Sequence, residues 1–188
     1  MEAVLKRLES VDLTGTQVTA MLKGSARVKL YHDLEGASPA TFFAPHNAVA
    51  LLFPVESGAQ GHWIGMWVNP KSKTVHHFDS YGLSPDKEDT YSDDPIVKKL
   101  LLQAFYSRCQ SAGYKVAYNQ TRYQKMVRND NTCGRQVICR LRMRYLTDAQ
   151  YAQLLTHSSV PPDDIVTLMT FLALNEDASA RSVISSTL

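Results

Sequence analysis

The strongest constraint on the fold lies between residues 48 and 78, where three strand-length runs follow one another. Residues 48–55 are continuously apolar. A run that short and that apolar suits a strand covered on both faces and ended by Pro54. Residues 62–68 and 74–78 come next, separated by Asn69, Pro70, Lys71, Ser72 and Lys73. Asn and Pro in that gap are turn formers, so the pair predicts a hairpin with a five-residue turn.

Shorter strands are predicted at 27–31 and 114–118. Helices are predicted at 14–23, capped by Thr14 and ended by Gly24, and at 96–112, stopped by Gly113. Three more are predicted at 133–145, with Asn131 or Thr132 as cap, at 148–156, and at 163–174, opened by Pro161 and Pro162. Polar stretches at 58–61, 83–94 and 119–131 read as loops. The Ser-rich tail at 177–188 reads as disordered. Strands gather in the first half and helices in the second, which predicts an α+β domain over residues 1–176, a mixed central sheet flanked by helices.

At 188 residues, 44% hydrophobic and 20% charged, the chain suits one globular domain with a sizeable core. It has no apolar run of about 18 residues, so no membrane span or membrane partner is expected. The first residues lack a secretory signal, and three cysteines without a CxxC pair argue against a disulfide framework or a zinc knuckle. A reducing interior is therefore expected. The formal net charge of +2 conceals an asymmetry: residues 98–144 hold eleven Lys or Arg and one acidic residue, Asp130. Such a block can attract DNA or an acidic partner, but a solvated face on two helices is the plainer explanation and the one favoured here.

Chemistry concentrates in three residues at element ends, where rigid structure holds a side chain within reach of substrate. His62 opens one strand, Asp79 closes the next, and Cys133 opens a helix. The free N–H groups and dipole of a helix N-terminus stabilise a thiolate. His62 is a base candidate, and Asp79 can orient it from the neighbouring strand. Each has a plainer alternative: a buried inert thiol, a loop-edge histidine, a turn aspartate. Cys109 and Cys139 fit the inert role better, since both lie in apolar helical patterns. His76 and His77 point to opposite faces of a strand and match no metal pattern, so no metal is expected. An acyl-transfer site also needs oxyanion donors. The Cys133 N–H can supply one and a side-chain amide upstream the other, with Gln124 and Gln120 as candidates that spacing does not separate. Gly134 lets a substrate backbone come close.

The segment 61–74 followed by Phe78, Asp79, Ser80, Tyr81 and Gly82 resembles the His-Trp segment of the adenovirus endopeptidase-like cysteine proteases (clan CE). The acidic residue follows the histidine by 17 residues, the separation seen in that family. Residues 119–124 and then Asn131, Thr132, Cys133, Gly134 and Arg135 resemble the family's Gln…Cys-Gly block. With Asp as third member, the pattern is most similar to the maturation proteases of virophages, Polinton-like elements and large DNA viruses. SUMO-deconjugating proteases are more distant relatives.

The resemblance implies a papain-like core in circularly permuted order. It implies His62 as general base, Asp79 as its orienting acid, Cys133 as nucleophile and Gln124 as oxyanion donor, with Trp63 beside the substrate cleft. Gln124 stands nine residues before Cys133, a longer separation than in the adenovirus enzymes, and Gln120 stays as the other candidate. The implied activity is an endopeptidase, a monomer that cleaves viral capsid precursors after small residues, at Gly-Gly type sites, inside the virion or host cell. No cofactor is required by the residues. A nucleic-acid or peptide activator would match the family, although Cys109 is at no motif matching its disulfide-linked peptide. The alternatives are a SUMO- or ubiquitin-deconjugating protease and a non-catalytic nucleic-acid-binding module.

Overall fold

The computed structural model describes residues 2–55, 61–88, 90, 92, 94–127 and 130–175. The expected loop at 58–60 and tail at 177–188 lie outside the described residues. Strands β1 (Arg27–Leu30), β2 (Ala48–Pro54), β3 (Gly61–Asn69), β4 (Thr74–Phe78) and β5 (Lys115–Tyr118) form one five-stranded sheet in chain order. The outer pairs β1–β2 and β4–β5 are parallel, while β2–β3 and β3–β4 are antiparallel. The sheet is therefore mixed and the fold α+β, as the sequence predicts. No helix among the described residues is long and apolar enough to cross a membrane.

The continuous apolar run of β2 is explained by two cores, one on each face of the sheet. Ala48 and Ala50 face the core built with α2 (Gly15–Leu22), α6 (Cys133–Arg142), α7 (Asp148–Thr156) and α8 (Pro162–Asn175). Val49, Leu51 and Phe53 face the other, built with α3 (Pro39–Phe43) and α5 (Leu101–Ser111). Strand alternation sends successive side chains to opposite faces, so a strand covered on both reads as unbroken hydrophobicity. Small residues on the α6 side let that helix come close. A Cβ on Gly65 would sit 3.5 Å from both Val137 and Leu141. Nearly every residue of α6 is buried, so the helix that begins with Cys133 is the central helix of the domain.

Local chemistry sets the element ends. Thr14 and Gln17 form the capping box of α2. The β3–β4 turn has four residues, not five, because Asn69 pairs with Thr74 and extends β3. Its Oδ1 accepts from the N–H groups of Lys71 (3.1 Å) and Ser72 (3.2 Å), closing the turn from the strand end. The helix expected at 96–112 is divided. A 3-10 turn (Val97–Lys99) ends at Leu100, which takes φ 51°, and α5 starts after it. The periodicity continues across the break, so the sequence pattern alone cannot reveal it. Three short helices were not expected: α1 (Glu2–Glu9), α3, and α4 (Pro85–Glu88) inside the predicted loop 83–94. Helices this short owe their stability to tertiary contacts rather than to a periodic pattern. For α1 these include Lys6 Nζ, 3.3 Å from Asp164 of α8.

Arg140, one of the cations of the basic block, is 1% exposed. Its guanidinium lies 4.5 Å from the Trp67 ring centroid and 4.8 Å from that of Tyr151. It donates to Met143 O (3.1 Å), Leu146 O (3.3 Å) and Asp148 Oδ1 (2.7 Å). Arg140→Ala removes all of these; Met143 O keeps the Leu146 N–H at 2.9 Å, while Leu146 O loses the guanidinium donor. The expected loss is on the order of 3 kcal/mol, read as a lower urea midpoint at unchanged m-value.

Candidate active site

His62 is the second residue of β3, and Asp79 follows the last residue of the adjacent antiparallel strand β4. This places the two side chains together: His62 Nε2 donates to Asp79 Oδ1 at 2.5 Å, with side-chain exposures of 10% and 0%. The second carboxylate oxygen accepts from the Leu83 N–H at 2.9 Å. Asn119, just past β5, grips the Asp79 backbone on both sides. Its Oδ1 accepts from the Asp79 N–H (2.9 Å), and its Nδ2 donates to Asp79 O (2.7 Å) and to Thr121 O (3.0 Å). Gly82 closes the turn behind the carboxylate at φ 74°, where an added Cβ would stand 2.9 Å from Gln120 O.

Cys133 begins α6 and lines the same cleft as His62, close enough for its sulfur to act on the imidazole. With Nε2 on the carboxylate, Nδ1 is the ring nitrogen left for sulfur. Burial alone would lower the His62 pKa, but the hydrogen bond to Asp79 and the nearness of the Cys133 sulfur raise it well above the ordinary value. For Asp79 burial acts to raise the pKa, and the His62 hydrogen bond and charge prevail and lower it. Tyr81 stacks on the imidazole, with ring centroids 5.0 Å apart and planes inclined by 19°. The other two thiols are unlike Cys133. Burial pushes Cys109 and Cys139 each up to about 12, consistent with inert core cysteines.

Neither Thr132 nor Asn131 caps α6 as expected. The Thr132 hydroxyl donates instead into a carboxyl pair, at 2.9 Å from Asp130 Oδ1 and 2.5 Å from Asp163 Oδ1. Asn131 Nδ2 donates to Ser10 O at 2.9 Å. Among the described residues no side chain therefore occupies the N–H groups of the first turn, which are left for another acceptor. The segment after α1 clamps this region: the Asn131 N–H donates to Glu9 O (2.9 Å) and Arg135 to Val11 O (3.0 Å).

Gln124 is 1% exposed and lines the same cleft as His62 and Cys133. Ser80 Oγ donates to its Oε1 (2.7 Å), and its Nε2 donates to Asp130 O (2.7 Å). An NH2 group has two hydrogens, so one stays uncommitted. Gln120 is exposed and does not line the cleft. Two expectations need correction. Trp63 does not border the cleft: it is 3% exposed, packs in the core and donates from Nε1 to Leu13 O at 3.0 Å. Gly134 does not open space for substrate. Its missing Cβ faces Trp63 at 3.1 Å and Leu13 at 3.3 Å, so it lets the N-terminal segment pack against α6.

The cleft is lined on its apolar side by Phe53, Val55, Leu83 and Met126. His76 and His77 diverge as alternation requires: His76 stacks on Trp67 at 4.7 Å, and His77 is buried beside Tyr106 with Nδ1 2.8 Å from its hydroxyl. The basic block is not one free surface. Arg108 is tied to Leu34 O and Ala37 O, Arg135 to Val11 O, and Arg140 is buried, while Arg128 lies outside the described residues. Sequence reasoning gave no role to Asn119, Ser80, Tyr81 or Glu88. A polar residue directly after a strand is a common turn feature, so nothing in the pattern marked Asn119 as the clamp on Asp79.

No protein-family profile matches the chain. It is similar to the uncharacterized protein V9 of Sputnik virophage, 26% identical over 175 residues, which covers 88% of this chain and 98% of that protein. Among solved structures it is similar to the central domain of the uncharacterized Lpg1148 protein from Legionella pneumophila, with a TM-score of 0.46 and 18% identity, covering 93% of this chain and 98% of that one.

Proposed function

We propose that the chain is a cysteine endopeptidase that processes structural precursors during virion maturation. The observation that carries this reading is the His62–Asp79 hydrogen bond beside Cys133 in one cleft, with the thiol at a helix N-terminus that has no side-chain cap. The order His, Asp, Cys along the sequence is that of a permuted papain-like core. The similarity to a virophage protein supports a viral setting, within a virion or an infected cell.

In this reading His62 holds the thiol proton and leaves a thiolate, which attacks the scissile carbonyl carbon. The resulting oxyanion is received by the Cys133 N–H and the uncommitted Gln124 N–H. His62 then gives its proton to the leaving amine, and a thioester remains. Water, deprotonated by His62, hydrolyses the thioester and restores the thiol. The apolar wall of Phe53, Val55, Leu83 and Met126 suits an apolar residue upstream of the bond. Small residues at the bond itself let an extended chain reach the buried sulfur, which sits in a residue only 7% exposed.

The test is cleavage of a capsid-protein precursor, set beside SUMO and ubiquitin fusions and DNA alone. Cleavage of the precursor supports the proposal, cleavage confined to the fusions would make the chain a deconjugating protease, and binding to DNA without any cleavage would leave a nucleic-acid module. A rate accelerated by DNA and falling steeply with salt would assign the basic residues an activating role. Gln124→Ala is expected to lower kcat about 10²- to 10³-fold with little change in KM. Gln120→Ala, at an exposed position away from the cleft, is expected to leave both near wild type.

A further inference from the structure

We infer that the His62–Asp79 pair doubles as a zinc site, completed by Glu88, and that a zinc ion bound there holds the base away from the thiol. Three observations carry this. First, one donor atom from each of His62, Asp79 and Glu88 lies within 4.8 Å of the other two. Second, Glu88 is delivered to this place by α4 and is 2% exposed, although glutamate is rarely buried without a partner. Third, its Oε1 has no hydrogen-bond partner, and neither does Nε2 of the buried His77, 3.6 Å away.

Two carboxyl groups and two imidazoles thus converge in the interior with unfilled donor and acceptor positions. A cation balances both carboxylates and gives the orphaned oxygen a partner. Mixed imidazole and carboxylate donors favour zinc, whereas magnesium and calcium prefer six or more oxygens. His62 and Glu88 both border the cleft, which gives the ion a way in.

Binding and catalysis exclude one another on geometric grounds. Nε2 of His62 and Oδ1 of Asp79 share a hydrogen at 2.5 Å. Two ligands of one tetrahedral zinc stand about 3.3 Å apart, given bonds of about 2.0 Å. The ion therefore replaces that proton, which passes to solvent, and swings the imidazole from its place between carboxylate and thiol. Metal binding is independent of the proposed hydrolase activity; only the inhibition rests on it.

The test is calorimetric titration of zinc chloride into the Cys133→Ala protein, which removes thiolate coordination as an explanation. One ion is expected per chain, with affinity weakened at least about tenfold by adding Glu88→Gln. Absence of saturable binding, or equal affinity with and without the Glu88 substitution, would overturn the site. Should the Glu88 variant not fold, cobalt(II) added to the unsubstituted protein answers instead. Visible d–d bands of a tetrahedral ion without a thiolate-to-metal charge-transfer band are expected, and a strong charge-transfer band would overturn the assignment. In the cleavage assay, zinc is expected to inhibit and EDTA to restore the rate. Zinc-insensitive cleavage would overturn the inhibition. A protein that binds zinc but cleaves nothing would leave the site standing and remove the hydrolase reading.

Discussion

Cys133→Ala is expected to abolish peptide hydrolysis, a loss of at least about 10⁴-fold, while the fold survives. The chain has no replacement nucleophile. Cys109 and Cys139 are buried in helices, and burial holds both as thiols, pushed up to about 12. The substitution removes one sulfur from the first residue of α6 and adds no bulk. The neighbouring turn is fixed independently, by the Thr132 hydroxyl on Asp130 and Asp163 and by Asn131 on the segment after α1. The melting temperature should therefore stay within about 3 °C of the unsubstituted protein. The measurement is precursor cleavage followed by gel and mass spectrometry, with thermal unfolding as control. Normal cleavage by the variant would end the thiol mechanism, and a large fall in melting temperature would leave the assay uninterpretable until Cys133→Ser was tried.

The part of this site that was legible in the sequence is the part made by strand pairing. Two apolar runs joined by an Asn-Pro turn can pair in only a few registers, and that pairing alone brings the start of β3 near the end of β4. The His62–Asp79 contact follows from it. The helix start at Cys133 was legible for a similar reason, from polar residues giving way to a buried helical run. What was not legible depends on contacts between segments far apart in the chain. Trp63 stands next to His62, yet alternation turns it away from the cleft, into the core against Leu13. Gly134 follows the same logic, because its missing side chain accommodates that same N-terminal segment. The four-residue α4 helix is too short to announce itself by periodicity, and Glu88 reaches His62 and Asp79 only through it. Asn119 clamps Asp79 from 40 positions away, across the β4–β5 pairing, which single-sequence patterns do not encode.

His62→Ala should reduce turnover nearly as far as Cys133→Ala, and the double variant should be no worse than either, because the two residues work as one unit. Asp79→Asn should cost less. An amide cannot supply the negative charge that supports the imidazolium, but the ring stays in place through the stack on Tyr81. A carboxylate within hydrogen-bond reach shifts a partner by about 1–3 pKa units, so the expected loss is about 10- to 1000-fold. The same physics predicts a titration. Burial lowers the His62 pKa, while Asp79 and Cys133 raise it, and their sum lies well above 6.5. In the unsubstituted protein the His62 ring should stay protonated through neutral pH when followed by NMR. Asp79→Asn should bring its midpoint down, and Asp79→Asn with Cys133→Ala should bring it down further, since burial is then opposed only by the neighbouring Glu88 carboxyl. The signs also fix a stability window. The raised His62 contributes stability below its unfolded value, and loses it as pH rises through its folded value. The lowered Asp79 contributes above its unfolded value, and loses it as pH falls through its folded one. The pair should therefore stabilise the protein most between the two unfolded values, about 3.9 and about 6.5, and the stability difference between the unsubstituted protein and Asp79→Asn should shrink towards both extremes. An Asp79→Asn enzyme more crippled than His62→Ala, or a His62 midpoint that rises in Asp79→Asn, would show that the carboxylate and the imidazole have been given the wrong parts.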